Sequence, residues 1–339
     1  MYAAPPGCQL CERPVVSPSP TFRIGDIPIY GDTILAPLAG FSDLPFRAIC
    51  REMGSAISYS ACITDLAVVH GGPRTAQLAD FDDAERPVAL QLLGAGEKEL
   101  LAAADQLLAQ RPDIIDLNLG CPARRVVAGG RGSALLRNPP LIGRLMRRLV
   151  DALPVPVTAK IRLGWDEASR NYMDVARILE QSGAALIAVH GRTRAQQYGG
   201  RADWSAIAEV KRAVSVPVVA NGDVRTVQDI DAIKEATGCE AVMIGRGAIG
   251  NPWIMARRPI GQVGWAERLA TIRRHALWMA DYNGERLGVV LFRKHIVRYI
   301  QGLPGASQMR PPLLACETVG ELFAVLEAWS PEGATNPAL

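Results

Sequence analysis

"VPVVANGDVRTVQDIDAIKEATGCEAVMIGRG", residues 216–247, decides the architecture. It opens on a short β-branched apolar run, "VPVVANGD" (216–223), which reads as a buried strand. "VQDIDAIKEATG" (227–238) follows, with apolar positions at helical spacing and a closing glycine. A second run, "AVMIGRG" (241–247), completes the unit. Strand, helix and strand over so short a span is a crossover, which makes the two strands parallel.

Working outward, the rhythm repeats. Earlier runs are "TILAPLAG" (33–40), "AISYSA" (56–61), "PVALQLLG" (87–94), "DIIDLNLG" (113–120), "VPVTAKIRLG" (155–164) and "ALIAVHG" (185–191). Helical segments such as "EKELLAAADQLLAQ" (97–110) lie between them. Eight strands, each followed by a helical or turn segment, predict a (β/α)8 TIM barrel. A doubly wound open sheet usually carries a Gly-rich fingerprint after its first strand, and "APLAGFSD" is none.

The pattern stops near Met255. Three helical stretches are expected beyond it, at about 264–281, 285–301 and 311–328. In the middle one Val289, Phe292, Ile296 and Ile300 share a face, with Arg286, Arg293, Lys294 and Arg298 mostly to one side. The expected organisation is a Pro- and Ser-rich flexible tail (1–21), a catalytic barrel (22–256), a small C-terminal helical domain (257–330) and a short tail (331–339).

Half of the 339 residues are hydrophobic (49%) and a fifth charged (21%), a globular composition. Residues 257–310 hold ten Lys/Arg against three Asp/Glu, a local +7 in a chain of net +3, so the remainder carries −4. A basic appendage on an acidic body suits a polyanionic partner; it equally describes a solvated helical surface. Seven cysteines without framework spacing read as reduced thiols, which predicts a cytoplasmic protein. No signal peptide or membrane-spanning run is evident, so no membrane association is expected. Cys8-x-x-Cys11 has metal or redox spacing but no second ligand pair, and no metal is expected. Cys50, Cys62, Cys239 and Cys316 lie in apolar or helical contexts and read as small buried thiols.

A barrel of this kind does its chemistry at the C-terminal ends of its strands. Those ends supply Pro37, Leu38, Ala39, Gln91, Asn118, Cys121, Lys160, Arg162, His190, Asn221, Gly222, Asp223, Gly245 and Arg246. Lys160 and Arg162 are two apart on one strand and share a face. Two cations in an apolar strand are costly to bury without an anionic partner. The loops after the last two strands, "ANGDVRT" and "IGRGAIGNPW", are glycine-rich, which lets backbone N–H groups approach an anion. Together these predict a phosphorylated cofactor across the barrel mouth. Each feature alone has a plainer reading: a lysine paired with a structural carboxylate, a core histidine, a common turn.

"LAPLAGFSDLPFR", "LQLLG", "IIDLNLGCPARRV", "GSALL", "VPVTAKIRLGW", "VHGRTRAQQYGGRADW", "VPVVANGDV" and "VMIGRGAIGNPW" closely resemble the tRNA-dihydrouridine synthases, with the bacterial B-type branch nearest. The resemblance runs from about Phe22 into the C-terminal helices, where "FRKHIVRYI" is also similar. It implies FMN as cofactor, with NADPH (or NADH) as reductant. FMN would contact Pro37, Leu38, Ala39, Gln91, Lys160, Asn221, Gly222, Asp223, Gly245 and Arg246, with Arg162 and His190 close by. It implies Cys121 as the acid that protonates C5 of uridine while hydride reaches C6. A thiol with an ordinary pKa of about 8.5 stays mostly protonated at neutral pH. It implies tRNA as the partner, in its D-loop region and without an obligate protein partner. Asn118, Arg192, Arg194, Arg286, Arg293, Lys294 and Arg298 are the substrate-side candidates.

Two departures from the family pattern stand out. Ala61 falls where the family usually has an acidic residue. The loop before "GSALL" carries Gly129, Gly130 and Arg131 in place of a lysine and is expected to be more flexible. Two other readings stay open: a flavin-holding tRNA-binding protein without efficient catalysis, and a small-molecule flavin reductase on the same barrel.

Overall fold

The computed structural model describes residues 19–329 and 331; Cys8, Cys11 and almost all of both predicted tails lie outside the described residues. Among the described residues there are eleven strands: β1 (Phe22–Ile24), β2 (Ile27–Ile29), β3 (Thr33–Leu35), β4 (Ser58–Tyr59), β5 (Ile63–Thr64), β6 (Val88–Leu93), β7 (Ile114–Asn118), β8 (Val157–Arg162), β9 (Ile187–His190), β10 (Val218–Asn221) and β11 (Ala241–Ile244). β3 to β11 form one sheet in the order β3-β11-β10-β9-β8-β7-β6-β4, with β5 also paired to β6. Every pairing in it is parallel. Ala56 N–H donates to Thr33 O at 2.7 Å and brings the last strand back to the first. The (β/α)8 TIM barrel expected from the alternating runs is therefore present.

Residues 216–247 show why the elements form. Helix Val227–Thr237 starts on Thr226, whose hydroxyl accepts from Asp229 N–H while the Asp229 carboxylate accepts from Thr226 N–H. This reciprocal cap satisfies two orphan donors, and left-handed Gly238 ends the helix.

The second barrel strand departs from expectation. Residues 56–61 do not form one strand; β4 and β5 are two residues each and separated by 60–62. Register explains the break. Between the pairs Tyr59↔Ala89 and Ile63↔Leu92 this chain spends three residues while β6 spends two, Leu90 and Gln91. The extra residue is a bulge, which re-aims the side chains on it.

Apolar side chains between strands and helices make the main core. A second cluster fills the barrel interior, where Phe22, Ile24 and Ile29 of the β1–β2 hairpin meet Ile34, Tyr59, Ile114 and Val219. The hairpin thus plugs the N-terminal end of the barrel.

Beyond the barrel lie helices Trp265–Asn283, Glu285–Tyr299, Ala306–Ala315 and Val319–Glu327. The expected stretch 311–328 is two helices, because Thr318 and Glu321 form a capping box that begins a new one. Ile272, Ala276, Met279, Val289, Phe292 and Ile296 pack these helices together. Against the barrel they present His275 and His295, both fully buried beside Phe46. Among the described residues no helix is long and apolar enough to cross a membrane.

Candidate active site

The strand ends enclose a cavity of about 340 Å³ lined by Pro37, Leu38, Ala39, Gln91, Asn118, Cys121, Lys160, Arg162, His190, Arg192, Asn221, Gly222, Asp223, Gly245 and Arg246. Of the strand-end residues singled out from the sequence, all but Gly40, the last of the first run, reach it. Barrel register explains the grouping. Arg162 pairs with His190, His190 with Asn221 and Asn221 with Met243, so these four form one layer at the mouth.

A line of buried polar groups crosses the floor. Thr158 Oγ1 donates to Asp116 Oδ1 at 2.6 Å, Gln91 Nε2 to Asp116 Oδ2 at 2.7 Å and Asn118 Nδ2 to Gln91 Oε1 at 2.6 Å. Asn118 Oδ1 then accepts from Gly120 and Cys121 N–H at 3.1 and 2.9 Å. Asn118 therefore orients the turn that carries Cys121. Burial raises the Asp116 carboxyl to about 6, against the Thr158 and Gln91 hydrogen bonds and nearby Lys160.

The Cys121 turn is clamped from its other side. Ser133 N and Oγ both donate to Cys121 O, at 3.1 and 2.8 Å. Gly132 stands so close that a Cβ there would lie 2.9 Å from Cys121 O, and its φ of +59° favours glycine as well. This gives "GSALL" a physical reason: its first two residues hold the thiol in place. The loop expected to be loose is anchored too. Residues Arg124–Ala128 are helical, and Arg131 Nε reaches the buried Asp65 carboxylate at 3.1 Å.

The thiol is not an ordinary one. The neighbouring Cys62 thiol, with the Ala123 N–H and the Arg162 charge, lowers its pKa against the opposing effect of burial. The expectation of an unperturbed pKa for Cys121 is therefore corrected. Cys62, read from sequence as a small buried thiol, instead lines the cavity, because the bulge at 60–62 turns it inward. Ala61 is buried and not among the cavity-lining residues.

Cations dominate one wall. Lys160 Nζ donates to Asn221 Oδ1 at 2.9 Å, and burial, with Arg162 nearby, lowers its pKa to about 7. Arg162 is committed to scaffolding, donating to Gly120 O, Thr193 O and Gln197 O at 2.7, 3.1 and 2.9 Å. Arg192 holds Gly199 O, Gly200 O and both Asp223 oxygens, yet its buried Nη1 has no partner. His190 is held well below its ordinary pKa by burial and by the four surrounding cations, so it is neutral. Burial opposes ionisation of Asp223, but Ala202 N–H and Arg192 outweigh it and hold the carboxylate low. Gly247 lies against Val224 O, where a Cβ would approach to 2.4 Å; only glycine lets these two mouth loops touch.

Other candidates separate. Arg194 lies outside the cavity, stacked 4.4 Å over Trp165. The four cations of helix Glu285–Tyr299 do not form a single flank. Lys294 reaches the rim, 5.3 Å over Phe41 and 4.0 Å from Asp43. Arg293 caps helix Ala306–Ala315 through Cys316 O at 2.7 Å. Arg286 pairs with Glu317, and Arg298 with Gln301. Sequence reasoning missed Phe41, Tyr198 and Arg225, which also line the mouth. Tyr198 is 52% exposed, with Arg246 4.8 Å over its ring; an aromatic in a glycine-rich loop was the signal for it.

A family profile described as Dihydrouridine synthase (Dus) matches residues 34–332. A probable tRNA-dihydrouridine synthase from Mycobacterium tuberculosis is 36% identical over 338 residues, covering 94% of this chain and 87% of that protein. tRNA-dihydrouridine synthase B from Pseudomonas putida is 36% identical over 321 residues, covering 91% and 94%. In fold, the chain is similar to histamine dehydrogenase from Rhizobium sp. 4-9, with a TM-score of 0.50 and 12% identity over 82% of this chain and 50% of that one. With a profile match across most of its length and relatives of this identity and coverage, the chain belongs to the dihydrouridine synthase family.

Proposed function

We propose that the protein reduces specific uridines of tRNA to 5,6-dihydrouridine, with FMN as cofactor and NADPH as reductant. The observation that carries this reading is the sharing of one cavity by a clamped thiol and a cationic wall. The residues present fit a flavin phosphate. Arg192 Nη1 is a buried cationic donor without a partner, and Gly247, packed against Val224 O, leaves its loop without a side chain at the mouth. Pro37, Leu38, Ala39, Gln91, Lys160, Asn221, Gly222, Gly245 and Arg246 would hold the cofactor. Asp223 and Arg162 would support it indirectly, by fixing Arg192 and the mouth loops. When bound and reduced at these residues, the cofactor would provide the hydride-transfer chemistry for C6 of the uracil ring.

Cys121 supplies the proton to C5 as enolate-like charge develops. Its lowered pKa makes it a willing donor, and the Cys62 S–H stabilises the thiolate left behind. Lys160, held by the Asn221 amide, favours negative charge in the cavity in its protonated form. Neutral His190 offers a hydrogen bond without adding to the cationic charge. The target uridine leaves its stack to enter the mouth. Lys294 meets the RNA backbone at the rim, and the other helical cations contribute at longer range. Such a protein works where tRNA is processed, in the cytoplasm.

Single-turnover oxidation of the reduced, FMN-loaded protein by unmodified tRNA tests the proposal. Reoxidation with stoichiometric dihydrouridine is expected. Reoxidation no faster than without tRNA, and no dihydrouridine, would refute it.

A further inference from the structure

Where the C-terminal helices dock on the barrel, three side chains able to ligate a metal converge from three elements. Asp43 is the N-cap of helix Leu44–Glu52, His275 lies on helix Trp265–Asn283 and His295 on helix Glu285–Tyr299. One ligand atom from each, a carboxylate oxygen and two imidazole nitrogens, lies within 4.8 Å of the other two. Both histidines are fully buried, with ring centroids 4.6 Å apart. The Asp43 side chain keeps 23% of its surface exposed, which leaves the cluster a way in from the rim.

The nitrogens lack partners. His275 Nε2 and both ring nitrogens of His295 are buried without a hydrogen bond. Buried polar atoms normally find one. Here the neighbours are rings instead: Phe46 stacks on His275 and tilts against His295, and Phe41 meets His295 edge-on. The remaining nitrogen, His275 Nδ1, is 3.1 Å from Tyr299 Oη. In the tautomer whose Nδ1–H donates to that hydroxyl, the lone pair sits on Nε2, the nitrogen left open. Metal-bound histidines ordinarily make such an outer hydrogen bond.

We propose that Asp43, His275 and His295 form a binding site for a divalent transition-metal ion, zinc by preference, which ties the C-terminal helices to the barrel.

Two imidazoles and one carboxylate suit zinc, whereas magnesium and calcium favour oxygen ligands alone. Tetrahedral zinc holds its ligands about 3.3 Å apart, so the set closes on the ion by side-chain shifts of about 1 Å. The fourth position falls to water, on the exposed side of Asp43. Asp43 can ligate without giving up its cap. Its Oδ1 accepts from Phe46 N–H at 3.3 Å, while Oδ2 has Lys294 Nζ 4.0 Å away. That ammonium is the charge that opposes the ion; the Lys294 side chain is 27% exposed and can turn outward. Arg47 is paired with Glu85 and Arg274 with Glu52, so each of those charges is offset. The ligands come from three separated elements, which is why spacing along the sequence does not reveal the site.

The test uses the full chain with Cys8 and Cys11 replaced by serine, so that this pair cannot supply a competing site. After chelator treatment, equilibrium dialysis against zinc followed by elemental analysis should return about one zinc per chain. Added zinc should also raise the melting temperature. Cobalt in place of zinc should give visible d–d bands without the charge-transfer band of a thiolate ligand. His295→Gln and Asp43→Asn should each weaken zinc binding at least about 100-fold, more than loss of an outer partner costs, and abolish the rise in melting temperature. Asparagine keeps the helix cap, so Asp43→Asn decides the matter if the buried variant fails to fold. No zinc retained by the parent protein would overturn the proposal, and is the result expected if a buried water satisfies the histidines. A thiolate band, or equal zinc affinity in the parent and Asp43→Asn, would place the ion elsewhere and overturn it too. None of these measurements depends on the flavin reaction.

Discussion

Lys160 Nζ donates to Asn221 Oδ1 at 2.9 Å, reaching from β8 to β10 across the strand between them. The amide is itself fixed, since its Nδ2 donates to Met243 O at 2.7 Å. Burial and Arg162 bring the lysine to a pKa of about 7 in the unliganded protein. An anionic cofactor stabilises the protonated form, so binding above that pH must take up a proton. FMN affinity is therefore expected to fall by up to about tenfold per pH unit between pH 7 and 9. Lys160→Gln should weaken affinity about 10- to 100-fold, the cost of a charge-assisted hydrogen bond, and flatten the pH dependence. Flavin fluorescence titrations of apoprotein measure both; an unchanged slope in the variant would remove Lys160 from the cofactor's surroundings.

Cys121→Ala should retain FMN and its reduction by NADPH while lowering dihydrouridine formation by about two orders of magnitude or more, the usual weight of a positioned acid. The acid must be protonated to act, so formation in the wild type should decline as pH rises through the lowered Cys121 pKa. Cys62→Ala removes the donor that stabilises the thiolate, so the decline should move to higher pH. Rate against pH for single-turnover product formation checks this. Identical profiles would mean that the thiol pair is not coupled during the reaction.

Arg293 and Lys294 are neighbours in sequence with different tasks. Lys294 reaches the cavity rim beside Phe41, while Arg293 donates to Cys316 O at the end of helix Ala306–Ala315. Lys294→Gln should weaken tRNA binding and reduce the slope of log affinity against log salt by about one. Arg293→Ala should instead cost about 1 kcal/mol of stability with little change in that slope, since it leaves helix-end carbonyls unsatisfied. Filter binding across a salt series, beside denaturant melts, separates the two. Equal salt slopes in both variants would show that neither has been placed correctly.

The same contrast shows what the sequence could convey. Strand-end residues were legible because barrel periodicity fixes which positions face the mouth; Asn118, Lys160 and Asn221 follow from counting alone. Cys62 was hidden because one inserted residue at 60–62 reverses the facing that counting assigns. The direction of Arg293 was hidden because helix spacing gives a face but not a partner on another helix. The break at Thr318 was written as T-x-x-E, Thr318 with Glu321, but lay inside a stretch read as continuous. Arg192 came through as a cation at the site, yet its bond to Asp223 depends on a left-handed backbone at Asp223 that spacing does not reveal.

Where the helices meet the barrel, the structure couples stability to pH. His275 is fully buried, and burial, then Lys294 and Arg274, bring its pKa to about 3. His295 is likewise held well below its ordinary value by burial, His275 and Lys294. The unfolded chain binds protons on both near pH 6.5 while the folded chain does not, so stability is fully present above that pH and lost as pH falls towards 3. By pH 5 each histidine should have cost about 2 kcal/mol. Asp43 works the other way: burial raises its carboxyl to about 6, so acidification from pH 7 to 5 returns about 1 kcal/mol. The net expectation is a protein that weakens on mild acidification. His275→Gln should lose about 2 kcal/mol less than the wild type between pH 7 and 5, whatever its stability at pH 7. Urea melts of both proteins at pH 7, 6 and 5 give the comparison. Parallel curves would mean that His275 is protonated in the folded state or hydrated at the junction, and that the helices dock on the barrel by contacts indifferent to its charge.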